Sequence, residues 1–410
     1  MPVPADDATP AQPTADRSID DDAHHDDAGR PTRVALFTGA YNHIADGVSL
    51  TLNRLVRHLE DEENVEFRIF APTVDDPPVD HAGTLIPVPS IAAPGRSDYR
   101  LSLGITPSVR RQIEDFSPDL FHIATPDILG YHALRTANRW DVPVVATYHT
   151  HFSSYLRHYG LGWLESLLWM YLRHFYRQCV QTYVPSTAMI EILREHGITD
   201  GLHLWQRGVT LDRFSPDRRS ETWRTQHGLD DAPVVAFVSR LVWEKSPDLF
   251  AEVVQRLEAD GIPHHSLIVG EGPARADLEE QLPNTVFTGY LEGDELATAY
   301  ASSDVFLFPS DTETFGNVTL EAMASGLPAV CARAGGSRDL IQDGDTGFLC
   351  EPDDVDAFTR AVRHLVTDAE SRADMGEAAV ARANEFQWEA ILSKMGSMYG
   401  DALREWRGRG

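Results

Sequence analysis

Two hydrophobic periodicities take turns along this chain. From Arg33, RVALFTG is an unbroken apolar run closed by Gly39, and DGVSLTLNRLVRHLED then spaces its apolar residues three and four apart, as one face of a helix does. EFRIFAP is a second apolar run, and similar runs return in DLFHIAT (119–125), PVVATYH (143–149), QTYVPS (181–186) and HLWQRGV (203–209). Short runs apolar on both faces, separated by amphipathic helices, predict a parallel sheet covered by helices on each side. The polar stretch TLDRFSPDRRSETWRTQHGLDD (210–231) breaks the rhythm. It restarts with PVVAFVSR (233–240), HSLIVGEG (265–272), VFTGY (286–290), DVFLFPS (304–310), PAVCAR (328–333) and TGFLCEP (346–352). At 410 residues the chain exceeds one ordinary core. The reading is therefore α/β, with two Rossmann-like domains in tandem, 31–209 and 210–387, and ligands expected between them at the carboxyl ends of the strands.

Composition changes this picture at the edges. Residues 1–30 hold eight Asp, several Pro and almost no bulky apolar side chain, so the segment cannot offset its ordering entropy and reads as a disordered acidic tail. Acidic residues number 63 against 35 basic ones, for a net charge of −28, which argues against a nucleic-acid partner. Cys179, Cys331 and Cys350 show no paired spacing and read as buried thiols in a reducing compartment. No run approaches the length of a membrane span, and the N-terminus lacks a signal-peptide layout.

Candidate chemistry gathers at strand ends. In DTETFGNVTLEAMASGLPAV (311–330), a loop leaves DVFLFPS and a helix opens near Gly316–Asn317. The unpaired N–H groups around Gly316, Asn317 and Val318 would attract a phosphate. Glu321, one turn along, can accept from a vicinal diol such as a ribose; Glu313, on the loop, would reach another hydroxylated group. The plainer alternative is a pair of surface carboxylates near a helix N-terminus. VSRLVWEKSPDLF places Arg240 at a strand end and Lys245, one of only two lysines, five residues on. Two cations there suit a diphosphate, and a solvated basic pair is the alternative. Gly270 and Gly272 could let a flat base lie against backbone or merely make a strand-to-helix turn, and Gly335–Gly336 offers further N–H groups to phosphate or sugar.

These motifs, in this order and spacing, resemble those of the retaining glycosyltransferases of family GT4. The resemblance runs from Arg33 to Trp406. ETFGNVTLEAMASGLPAV matches the family's paired-glutamate motif at Glu313 and Glu321, with Phe315 inside it; VSRLVWEKSPDL matches its diphosphate clamp at Arg240 and Lys245. TYHTHF carries the His of the donor-sugar pocket at His149, and DGVSLTLNRL the first-domain glycine loop at Gly47. RGVTLDRF has Thr210 where the family often has Asp, many relatives have Gly where this chain has Asp46, and GGSRDLI has Asp339 in place of Glu.

The resemblance implies the GT-B architecture, with a C-terminal helix, about 388–410, returning to the first domain. It implies transfer of a hexose from a nucleotide diphosphate sugar to a lipid or glycan acceptor, with retained configuration. Arg240, Lys245, Glu313 and His149 would be catalytic, Glu321 would hold the ribose, and neither a cofactor nor Mg²⁺ would be required. Within the family the likeness is to GDP-mannose-dependent α-mannosyltransferases and sulfoquinovosyl-diacylglycerol synthases, so mannose is favoured and a UDP-sugar-dependent glycolipid synthase is the alternative. A non-catalytic sugar-nucleotide-binding protein and a GT-B epimerase are further alternatives from other classes. The expected location is the cytoplasm, peripheral at the inner membrane surface. Residues 155–176 (YLRHYGLGWLESLLWMYLRHFY) mix aromatics with Arg157, His158, Arg173 and His174 against one Glu. That composition fits either a buried helix with polar tips or a headgroup-layer contact, with Trp163 and Trp169 as anchor candidates.

Overall fold

The computed structural model describes residues 29–44, 46–93, 96–149, 165–229 and 231–409. Strands β1 (Thr32–Phe37), β2 (Val65–Ala71), β3 (Thr84–Pro87), β6 (Leu120–Ile123), β7 (Val144–Thr147), β8 (Gln181–Val184) and β9 (Leu202–Leu204) form a seven-stranded sheet in the order β3-β2-β1-β6-β7-β8-β9. Every neighbouring pair is parallel. A hairpin of β4 (Ser90–Ala93) and β5 (Arg96–Ser102) stands apart as a two-stranded antiparallel sheet. Strands β10 (Val234–Val238), β11 (His265–Val269), β12 (Val286–Gly289), β13 (Val305–Phe308), β14 (Ala329–Ala332) and β15 (Gly347–Cys350) make a second, six-stranded parallel sheet, ordered β12-β11-β10-β13-β14-β15.

Burial explains the apolar runs. Each residue of β6, β7, β8, β10, β13 and β14 is buried, because helices cover both faces. Fully burying one such Val, Leu or Phe stabilises by about 1.5–3 kcal/mol before entropy is counted. The strand order reverses between β1 and β6 in one sheet and between β10 and β13 in the other. Crevices open at such reversals on the carboxyl side, so the loops after these strands are where ligands belong.

The chain crosses between the sheets twice, and the two crossings touch. Val209 N–H donates to Phe386 O at 2.9 Å, and Val209 pairs with Gln387 as an isolated parallel bridge. Gly208 is needed there, since a Cβ would lie 2.9 Å from Cα of Trp388. The Trp388–Arg407 helix then returns to the first sheet. Ile391, Leu392, Met395, Met398, Tyr399 and Ala402 join the core beneath the Gly47–Glu62 helix, and Tyr399 meets the buried His122 at 2.7 Å. A lighter contact lies elsewhere. Thr187, at the start of the Thr187–Glu195 helix, gives its N–H and its hydroxyl to the carboxylate of Asp339, and Arg338 reaches Glu191 at 2.8 Å.

The structure corrects one expectation directly. The Glu165–Tyr176 helix turns Trp169, Leu172, Phe175 and Tyr176 into the core, and the Trp169 ring stacks on His196 at 3.8 Å, so Trp169 is no membrane anchor. Arg173 donates to His196 O, leaving Leu167 and Met170 as the exposed apolar side chains of that helix. Trp163 and the rest of 155–164 lie outside the described residues, as does nearly all of the acidic tail. The three cysteines are free and buried, as expected. Among the described residues no helix is long and apolar enough to cross a membrane, and no group of three or more His, Cys, Asp or Glu is placed to hold a metal.

Candidate active site

The loops after β10 and β13 meet through their charged side chains. Lys245 Nζ donates to Glu313 Oε1 at 2.6 Å and to Thr312 Oγ1 at 3.3 Å, with both charged groups largely buried. An ammonium has three protons, so one remains for a further acceptor. Arg240 is less constrained than the sequence reading supposed. Its side chain is 66% exposed and, among the described residues, meets Glu244 at 3.4 Å. The two cations thus differ, Lys245 being buried and paired with Glu313 and Arg240 exposed and loosely held. An exposed pair of this kind contributes less than about 1 kcal/mol, so little opposes its rearrangement.

The Asn317–Ala324 helix begins at Gly316, whose φ of 100° suits glycine, and no side chain caps it. The first-turn N–H groups near Asn317 and Val318 therefore keep their pull on an anion. The Phe315 ring is buried against Phe386, so only its backbone is offered to a ligand. One turn on, Glu321 accepts from the buried Tyr300 hydroxyl at 3.4 Å. Burial raises the Glu321 carboxyl to about 7, against the pull of the Tyr300 hydrogen bond and of Arg213 and Arg54. Tyr300, Arg54 and Arg213 were not singled out in the sequence, because nothing in their spacing points to Glu321.

The glycine loops are needed for close packing. A Cβ on Gly270 would sit 1.8 Å from Ser239 O, and one on Gly272 would sit 2.3 Å from Leu241 O, so these residues let the β11 exit loop lie on the loop that carries Arg240. Gly335 and Gly336 do the same for the glutamate loop, where a Cβ would sit 1.9 Å from Glu313 O and from Phe315 O respectively. The Gly336 N–H donates to Glu313 O at 3.1 Å. It is not free for phosphate, which corrects the sequence reading.

From the first sheet, Gly47 faces this assembly, with its missing Cβ 3.8 Å from Asn317 Nδ2. Two helix starts therefore meet. They differ in charge, because Asp46 caps the Gly47–Glu62 helix and accepts from the Val48 and Ser49 N–H groups at 3.0 and 2.8 Å. Asp46 thereby takes up N–H groups of this helix start that the Asn317 helix leaves without a side-chain cap.

His149 lies just beyond β7 and is buried. Its Nδ1 faces Arg207 at 3.2 Å, while its buried Nε2 has no hydrogen-bond partner among the described residues. Arg207 also donates to Gly47 O at 2.7 Å and to the Thr51 hydroxyl, and so joins the His149 loop to the first helix. Burial, then Arg207 and His122, hold the imidazole well below its ordinary pKa. Burial also lowers Arg207 to about 10, although Asp46 opposes this. Arg207 was quoted within a strand run and passed over. A lone Arg at an apolar strand end was the available signal.

The uncapped helix start at Asn317, the Lys245–Glu313 pair and Glu321 on one sheet thus gather beside the Gly47 helix start of the other, to which Arg207 ties His149. The model for Glycosyltransferase Family 4 matches residues 45–213, and that for Glycosyl transferases group 1 matches 219–382. Sulfoquinovosyl transferase SQD2 of Arabidopsis thaliana is 36% identical over 391 residues, covering 92% of this chain and 75% of the relative. A GDP-mannose-dependent alpha-mannosyltransferase of Mycobacterium tuberculosis is 38% identical over 344 residues, covering 82% of this chain and 88% of the relative. In fold, the sucrose-phosphate synthase of Thermosynechococcus elongatus superposes with a TM-score of 0.75 at 20% identity, over 90% of this chain and 98% of that one. The chain belongs to glycosyltransferase family 4, and it is a glycosyltransferase of the two-domain GT-B fold.

Proposed function

We propose that the protein transfers a hexose, mannose in preference, from GDP-mannose to a lipid or glycan acceptor with retention of configuration. The observation that carries this reading is the convergence at one cleft of Lys245 paired to Glu313, of Glu321, and of Gly47 set against Asn317. In this reading the Asn317 helix start and the third Lys245 proton receive the diphosphate, Arg240 swings in beside them, and Glu321 takes the ribose hydroxyls. Negative charge on the leaving phosphate grows as the glycosidic bond breaks, so these cations and N–H groups act most strongly in the transition state. They supply charge that a divalent ion would otherwise bring. Glu313, held by Lys245, is engaged as a hydrogen-bond acceptor for sugar hydroxyls and not as a nucleophile. The acceptor hydroxyl attacks on the face the phosphate leaves, and its proton passes to the departing phosphate oxygen. Exposed Leu167 and Met170 give the first domain an apolar edge for peripheral contact with a membrane that presents a lipid acceptor.

The likeness over 92% of the chain to a sulfoquinovosyl transferase supports a second reading, a UDP-sugar-dependent glycolipid synthase. A screen of GDP- and UDP-sugars with EDTA present, against diacylglycerol-type acceptors in anionic liposomes and against soluble glycans, tests both. The expected result is transfer from GDP-mannose to give an α-linked product by NMR, with the enzyme floating with the liposomes. A β-linked product would end the retaining assignment, and turnover only with UDP-sugars would replace the donor.

A further inference from the structure

Arg207 is a buried cation whose described hydrogen bonds all go to uncharged groups: Gly47 O, the Thr51 hydroxyl and His149 Nδ1. Burying a charge without a bonded counter-charge is costly, so the arrangement calls for a reason. The chemistry of the contact supplies one. A guanidinium has donors only, so the ring nitrogen it meets must accept. Nδ1 therefore carries the lone pair, and the neutral ring's proton sits on Nε2, the atom with no partner among the described residues. An imidazolium would set two donors against each other at Nδ1. His122, the other imidazole near His149, has both nitrogens engaged, with Tyr399 and Thr147, and cannot exchange a proton with it by direct contact. Asp46 is the charged group that faces Arg207, and it acts through space.

We infer that Arg207 is a positioning residue that fixes His149 as the uncharged Nε2–H tautomer, so that His149 offers an N–H donor to an oxygen of the transferred sugar. The inference rests on the sugar-transfer reading for its ligand, and on the Arg207–His149 geometry alone for its tautomer. The same guanidinium holds Gly47 O, so it sets the height of the first helix start and the face of the imidazole together. Arg207 itself touches no substrate.

The full chain with ¹⁵N-labelled histidine decides the tautomer by long-range ¹H–¹⁵N correlation, the His149 signals being those lost in His149→Phe. The expected wild-type pattern is neutral Nε2–H, unchanged from pH 5.5 to 8.5. In Arg207→Gln it gives way to a mixed or titrating pattern. In kinetics, Arg207→Gln and His149→Phe each lower kcat/KM for the sugar nucleotide by about tenfold or more, the scale of one lost hydrogen bond. In the His149→Phe background Arg207→Gln is expected to cost clearly less than it costs the wild type, because part of its effect runs through the imidazole and part through Gly47 O. An Nδ1–H or charged His149 in the wild type overturns the inference, as do fully multiplicative losses. Should Arg207→Gln melt early, Arg207→Lys takes its place in the cycle, and the wild-type spectrum stands without any variant. A wild type that transfers no sugar would sink the function, whereas the spectrum would still rule on Arg207.

Discussion

At the scale of single residues, Glu321 has the most telling electrostatics. Its carboxyl is raised from 4.5 to about 7, with burial the largest cause. The native state therefore binds a proton that the unfolded chain releases between those two values, and stability falls as pH rises through that window. The contribution is on the order of 1–3 kcal/mol, tempered by the partly open side of the residue. Melts of the ligand-free protein from pH 5 to 8 should show this slope, and Glu321→Gln should flatten it and melt above wild type at pH 8. The same substitution should weaken nucleoside diphosphate binding by about 1–3 kcal/mol, as expected for loss of a charged acceptor. An unchanged slope together with unchanged affinity would move the ribose contact elsewhere.

Elements were legible in proportion to their burial. The apolar runs read from the sequence became strands, most clearly where a parallel sheet hides both faces, whereas HLWQRGV contributes only His203 and Leu204 to a strand, Leu202–Leu204, with no residue fully buried. β3 and the β4–β5 hairpin were not foreseen, since TLIP and SIAA show no buried residue and hence no apolar signature. The site was half legible. Glu313, Glu321 and Lys245 stand in motifs of fixed spacing, whereas Arg207 finds its partners at positions 47, 51 and 149 only once the chain has folded. The glycines were seen, but the close backbone approaches that require them were not. Gly336 has an ordinary helical φ of −71°, so its need is steric and no turn preference could reveal it. Gly336→Ala would press a methyl on Phe315 O and push away the loop bearing Glu313. The expected cost is about 2–4 kcal/mol in urea unfolding, with transfer lost in the fraction that still folds. Wild-type stability in that variant would show that the loop yields easily.

At the scale of the molecule, two kinds of contact join the halves. The Val209–Gln387 crossing is backbone and close-packed, whereas Thr187–Asp339 and Arg338–Glu191 are exposed side-chain contacts, the ion pair worth about 0–1 kcal/mol. A latch that weak suits a cleft that opens for its substrates. Asp339→Asn combined with Glu191→Gln should enlarge the radius of gyration in small-angle scattering and raise KM for the donor severalfold, leaving the melting temperature within about 2 °C. No change in either dimension or KM would make these contacts incidental. The paired crossing has its own consequence. Two ribbons stitched side by side resist twisting and shear but still fold along their common line, like the spine of a book. A hinge on that line would bring the Gly47 helix start to the Asn317 helix start in one closing movement. Closure about such a spine would complete the set of reacting groups only with both halves engaged, which is how a site keeps an activated sugar from water.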